Sequence, residues 1–355
     1  MRRTGFRGVS PLLILILAVS ALPSFSQAPA APAKQQQAKT QAEYDAYKAL
    51  YDEKDPKKKA DLGEKFIANP AFKESDFIVP NAHQMIIGAY AADKNWAKVM
   101  EAADRAAALP NATTALKGYA YGNAMIAAQN MNNVDKVLSY GDKVLSIDPN
   151  DLNTLMTLAA VLPAKLPADE AGKKTALDKA AGYANKALAG LAPLIAKASP
   201  QDKPQFVAVE GQVHATLGLI AYSRPDYQKS IQEFDTAIKT TPKDDESHFY
   251  LALDYQALAA QASRDYQVAF KAWNDAKVAK ADQPTIDDAD AHQQALADDI
   301  KKYRDKALDE FGLATAIGGG RGTQAKELLT KLWIQKNENT NGLDEFIADK
   351  KKQLP

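Results

Sequence analysis

The chain has 355 residues, 46% of them hydrophobic and 25% charged, enough apolar material for one or two domains or one elongated repeat array. Its 44 basic residues balance 44 acidic ones, which argues against a nucleic-acid binder, with its basic excess, and against a strongly acidic tail. With no cysteine there can be no disulfide, no thiolate zinc site, no cysteine nucleophile and no acylated lipobox.

The chain opens with Arg2, Arg3 and Arg7, followed by the apolar run PLLILILAVSAL and the small residues Ser24 and Ser26. The run holds about a dozen residues, whereas a membrane span needs ~20. It therefore reads as an export signal, residues 1–26, cleaved after Ser26, with a short uncleaved anchor as the alternative. Residues 27–41, QAPAAPAKQQQAKTQ, contain no large apolar side chain and cannot offset their own ordering entropy. They are expected to form a flexible linker. An exported, periplasmic protein follows, or a fully secreted one.

From residue 42 the texture changes. Apolar residues recur at three- and four-residue spacing, alanine is abundant and no segment alternates with period two. Proline punctuates the segments at Pro70, Pro110, Pro149 and Pro242, because it cannot continue a helix and pushes its predecessor out of the helical region. The fold class expected is all-α. Residues 42–312 form a repeat domain and residues 323–355 a terminal helical cap. Between them, IGGGRG at 317–322 is expected to be a flexible loop. Residues 287–311 read as one long helix, and 323–335 and 343–353 as two final ones.

The segment LGLIAYSRPDYQKSIQEFDTAIKTTP, residues 217–242, resembles a tetratricopeptide repeat. Leu217 and Gly218 match the Leu-Gly pair of the first helix. Tyr227 opens the second helix, and Ser230, Phe234, Ala237 and Pro242 follow in the family's order. The same phase recurs around Tyr90, Trp96, Val99, Ala106 and Pro110; around Val137, Val144 and Pro149; around Leu158, Ala159, Ala180 and Ala187; and around Leu251, Ala252, Tyr255, Tyr266, Ala269, Trp273 and Ala276. A weaker first unit holds Ala60, Ile67 and Pro70. The resemblance implies an α-solenoid of about six helix pairs. Spacing between units is uneven and longer than the family's 34 residues, so insertions are expected at 163–174 and 190–204. Ile87 and Met125 stand where the family prefers small residues.

No catalytic set is legible. His83, His214, His248 and His292 are too far apart in sequence for a local metal motif, and the first three recur at one bulky position of the first helix, where packing is expected. The glycine run before Arg321 lacks the Lys-Ser or Lys-Thr of a phosphate loop and follows a helix, not a strand. Neither a cofactor nor a metal is expected, and the chain reads as no enzyme.

The resemblance implies that the first helix of each pair lines a concave groove. Carried over residue by residue, that groove would hold Asn81, Gln84, Tyr119, Gln129, Asn130, Gln212, Leu219, Tyr222, Glu246, Phe249 and Gln256. Amides and tyrosines suit an extended peptide, whose backbone they can hydrogen-bond while offering flat apolar contact. No Lys or Arg occurs in the set, so an acidic-tail clamp is not expected. The function implied is a protein-protein interaction scaffold or adaptor of the cell envelope, with protein or peptide partners and self-association as a further possibility. The alternative is a glycan- or peptidoglycan-binding envelope protein.

Overall fold

The computed structural model describes residues 38–72 and 78–355. The expected export signal and most of the expected linker lie outside the described residues. Among these, 82% of the structure is helical, in 14 α-helices without a strand, so the all-α expectation holds. The chain divides into two compact units, Met1–Gly190 and Leu191–Pro355.

The first unit contains α1 (Gln41–Asp52), α2 (Pro56–Ala68), α3 (Ile78–Ala92), α4 (Trp96–Ala107), α5 (Thr114–Asn130), α6 (Val134–Ile147) and α7 (Leu152–Val161). A further helix, α8 (Glu170–Lys197), carries Pro193 within it. The helices start where a side chain can satisfy the orphaned N–H groups of a first turn. Thr40, Asp55, Asn95, Thr113, Asn133 and Asp151 each accept from a backbone N–H inside the helix they open.

Hairpins close by one recurrent turn. Asn95 donates its N–H to Tyr90 O at 2.9 Å and Asn133 to Ala128 O at 2.9 Å. The residue before each donor, Lys94 or Asn132, takes a left-handed conformation, with φ of 56° and 53°. The core of this unit gathers Ile86, Val99, Ala102, Ala106, Ala120, Ala124 and Val137, all essentially inaccessible. Small residues allow α3, α4 and α5 to approach one another, and larger ones fill the remaining gaps. Ile87 and Met125 are absorbed into the same core.

The second unit contains α9 (Lys203–Tyr222), α10 (Tyr227–Thr240), α11 (Asp245–Val278), α12 (Gln283–Ile317), α13 (Gly322–Asn337) and α14 (Leu343–Gln353). The Leu-Gly pair has a direct cause. A Cβ on Gly218 would stand 2.8–2.9 Å from the Phe234 ring, so only glycine lets α9 and α10 meet there. The Ser230 hydroxyl donates to the Gly218 carbonyl at 3.0 Å, tying the two helices at that crossing.

Two sequence expectations are corrected here. Tyr266 does not open a second helix: α11 runs unbroken through 34 residues. Its partner is α12, packed antiparallel along it. The physical reason lies in the sequence between Gln256 and Tyr266, which is alanine-rich and lacks proline and glycine. The α11–α12 turn repeats the hairpin closure, with Ala281 N–H donating to Ala276 O at 3.0 Å after Lys280 at φ 52°.

The IGGGRG segment is not a flexible loop. Gly318 caps α12 in the left-handed conformation. The Arg321 N–H then donates to Asp245 Oδ2 at 2.6 Å, and its guanidinium reaches Glu246 and Tyr250, each at 3.0 Å. Phe311, Ala325, Leu329 and Leu343 bring α12, α13 and α14 into one core with Phe234 and Phe249. The expected terminal helices are present, and Trp333 and Phe346 hold α13 against α14 with ring centroids 5.0 Å apart.

Candidate functional site

In the first unit the structure brings part of the expected face together. The first helices α1, α3 and α5 are neighbours, with α3 touching both others. Asn81 lies beside Tyr47 of α1 and favours its phenolate, but burial outweighs this and raises the phenol above its ordinary pKa. The Tyr119 hydroxyl donates to the Gln84 carbonyl at 3.4 Å. It lies 3.4 Å from where a Cβ on Gly88 would stand, so the missing side chain makes room for the ring. Burial raises the pKa of Tyr119 too, so it stays a neutral donor at any physiological pH. Asn81, Gln84 and Tyr119 thus form one half-buried patch.

Along α5 the patch continues at helical spacing through Asn123, Ile126 and Asn130. The Asn123 amide donates to Tyr119 O at 2.8 Å and the Asn130 amide to Ile126 O at 2.9 Å. Each bond uses one amide N–H and fixes the side chain, leaving its oxygen to accept from a ligand. Ile126 sits between them, 48% exposed. Gln129 is half-buried and lies off this stripe. On α1, Tyr44 and Tyr51 are exposed, and Tyr47 and Tyr51 stand 6.5 Å apart. Sequence reasoning missed Tyr44, Tyr51, Asn123 and Ile126. The signal was present in α1 as tyrosines at i, i+3 and i+7.

In the second unit most of the expected residues serve packing. Phe249 does not line a free surface: it is 2% exposed, with its ring centroid 5.8 Å from Phe311 and 5.5 Å from Tyr250. The cause is α12, which covers the side of α11 that the sequence reading left open. Glu246 is spent on Arg321. Burial raises the Glu246 carboxyl, and the guanidinium opposes that rise. Tyr222 packs between Tyr227 and Tyr250, at 6.2 and 5.3 Å. Burial first, then the charge of Asp254, pushes its phenol up to about 12. Leu219 packs against the core, while Gln212 and Gln256 are half-buried. The Gln212 Oε1 atom is buried without a hydrogen bond. Arg321 brings to this face a cation that the sequence reading did not place there, and its guanidinium lies 5.4 Å from both the Phe249 and Tyr250 rings.

The three phased histidines pack between helices, as expected, and two of them also hold a carboxylate of a neighbouring helix. His214 Nδ1 meets Glu233 Oε2 at 2.7 Å, and His248 Nδ1 meets Glu310 Oε2 at 2.6 Å. Burial disfavours the His248 imidazolium, but the Glu310 carboxylate outweighs it and raises the pKa. His83 has no such partner, its Nδ1 is buried without a hydrogen bond, and burial lowers its pKa. It borders a cavity of about 260 Å³ with Phe66, Ile67, Phe72, Val79 and Leu109. Among the described residues no three His, Asp or Glu side chains cluster as metal ligands, and no helix is long and apolar enough to cross a membrane.

No protein-family model matches the chain, and no curated protein sequence matches it. Among solved structures it is similar to a tetratricopeptide repeat protein from Parabacteroides merdae ATCC 43184. The identity is 14%, the TM-score 0.43, and the match covers 82% of this chain and 99% of the other.

Proposed function

We propose that this protein is a non-catalytic scaffold of the bacterial cell envelope that binds segments of other proteins on the first-helix face of its first unit. One observation carries the reading. Tyr119, Asn123, Ile126 and Asn130 present amides braced by their own helix around an exposed isoleucine. A peptide laid across α5 can exchange backbone hydrogen bonds with the amides and bury an apolar side chain against Ile126 and the Tyr119 ring. The export signal read at residues 1–26 supports an envelope location, with the periplasm as the compartment.

A photo-cross-linking residue at Ile126 tests this in intact cells, with one at exposed Lys136 on α6 as control. Discrete protein adducts at position 126 but not at 136 support the reading. Ile126→Glu combined with Asn130→Ala then weakens capture about tenfold, since one lost apolar contact and one hydrogen bond are worth roughly 1.4 kcal/mol together. Capture unchanged by that pair, or recovery of cell-wall fragments alone, overturns it.

A further inference from the structure

The turn between α13 and α14, residues 338–342, holds the one Asn-Gly pair of the chain, Asn341 and Gly342. Both residues are exposed. Part of the turn is fixed. The Asn341 N–H donates to Asn339 Oδ1 at 2.8 Å, and the Trp333 indole N–H donates to the Asn341 carbonyl at 3.1 Å. Gly342 caps α14 in the left-handed conformation, at φ 77°. Two groups are left over. Among the described residues the Asn341 side-chain amide has no hydrogen-bond partner, and the Gly342 N–H, ahead of the first turn of α14, donates to none.

The neighbouring asparagines differ on both counts. Asn337 Nδ2 donates to the Trp333 carbonyl at 3.1 Å, and Asn339 Nδ2 to the Asn337 carbonyl at 2.9 Å. Their successors are Glu338 and the β-branched Thr340, whose side chains shield their own backbone nitrogens. Gly342 has no Cβ to do so. Only at position 341 does this turn set an uncommitted side-chain amide beside an unshielded, unbonded backbone nitrogen.

We infer that Asn341 is a site of spontaneous deamidation, with water as the only co-reactant. The Gly342 nitrogen loses its proton and attacks Asn341 Cγ. A C–N bond forms there and the Cγ–Nδ2 bond breaks. Nδ2 departs as ammonia, taking up a proton in place of the one the backbone nitrogen released. The product is a five-membered imide, which water then opens on one of two sides. Cleavage of the new Cγ–N bond restores the peptide and leaves an aspartate at position 341. Cleavage of the original peptide C–N bond leaves an isoaspartate, with the chain running through Cβ and Cγ. The net change is amide plus water to acid plus ammonia, and nothing is oxidised or reduced. The aspartate adds an anion just ahead of α14, where the helix dipole favours it. The isoaspartate lengthens the link between α13 and α14 and takes the Asn341 carbonyl out of the main chain. Trp333 then loses its main-chain acceptor beside Phe346.

Incubation of the folded protein at 37 °C, followed by mass-spectrometric peptide mapping, tests the inference. We expect aspartate and isoaspartate to accumulate at position 341 well before Asn337 or Asn339 reacts. The rate should rise from pH 6 to pH 8, because the attacking nitrogen must be deprotonated. It should lie close to the rate in the urea-unfolded chain, because no hydrogen bond of the reacting groups has to open first. Gly342→Ala should slow the reaction about tenfold by shielding the nitrogen. The space admits the methyl group, with Trp333 and Glu345 at 3.5 and 3.6 Å, and circular dichroism will confirm that the helices persist. Asn341→Gln should abolish it, since a glutamine would have to close a six-membered ring. An unmodified position 341, a folded rate more than about tenfold below the unfolded one, or an equal rate in Gly342→Ala overturns the inference. The turn lies outside α1, α3 and α5, so failure here leaves the proposed function standing.

Discussion

Asp254 offers the sharpest physical test of the second unit. It lies on α11, fully buried, and neither carboxylate oxygen has a hydrogen-bond partner. The nearby Ser230 hydroxyl is committed to the Gly218 carbonyl. Burial disfavours the charged form and, opposed only in part by the neighbouring Ser230 hydroxyl, pushes the carboxyl up to about 7, from 3.8. The folded state therefore holds this proton more tightly than the unfolded chain. Its stability is intact below the unfolded pKa and is lost as pH rises through the folded value, so that above pH 7 the folded state carries the full cost of a buried charge. A displacement of about three pH units corresponds to ~4 kcal/mol at most. Asp254→Asn keeps the shape and removes the charge. Urea unfolding of both chains at pH 5 and pH 8 isolates the effect, because His248 and the other titrating groups are common to both and cancel in the difference. The variant should gain on the parent by about 2–3 kcal/mol between those two pH values, since at pH 5 only ~2 kcal/mol of the cost has accrued. A difference independent of pH would refute the reasoning and place solvent or a donor at the carboxylate.

Gly218→Ala drives a methyl group into the Phe234 ring and should cost about 1–3 kcal/mol; an unchanged thermal midpoint would show that α9 and α10 separate freely. Glu310→Gln removes the anion that keeps His248 protonated. Because the His248 pKa is raised in the fold, that stabilisation is full below the unfolded value and disappears as pH rises through the folded one. The variant should therefore lose about 1–3 kcal/mol near pH 6 and less at pH 9, as denaturant titrations at the two pH values will show. Lys94→Gly relieves a left-handed residue at φ 56° and should stabilise by about 0.5–1 kcal/mol in thermal unfolding. A loss of stability would mean that the Lys94 side chain contributes more than its backbone conformation costs.

The hairpins were legible because their packing demands are local. Leu217, Gly218, Ser230, Phe234 and Ala237 occupy the places where α9 and α10 cross, and Gly218 and Phe234 fit each other alone. The α11–α12 hairpin was misread for an instructive reason. Tyr266, Ala269 and Trp273 keep the repeat phase because they line the side of α11 that packs on α12, and an apolar stripe does not say whether its partner precedes or follows it. The pinned IGGGRG turn was invisible because Asp245, Glu246 and Tyr250 lie more than seventy residues before Arg321. For the same reason Glu246 and Phe249 were assigned to an open face: nothing near them in sequence announces α12 and Arg321. The α5 stripe was half legible. Tyr119 and Asn130 were identified by their repeat position, whereas Ile126 was not, since an exposed isoleucine reads as core until its surroundings are known.

The turn shared by these hairpins separates two variables that usually travel together, how a helix pair closes and how long it is. The same five-residue-back hydrogen bond ends α3, α5 and α9 after 15, 17 and 20 residues, and ends α11 after 34. Length is then free to drift without any new loop having to be invented. A chain built this way can grow an arm from one hairpin while its neighbours keep their register. Novelty can enter such a family as extra height on an existing pair, with no new repeat added.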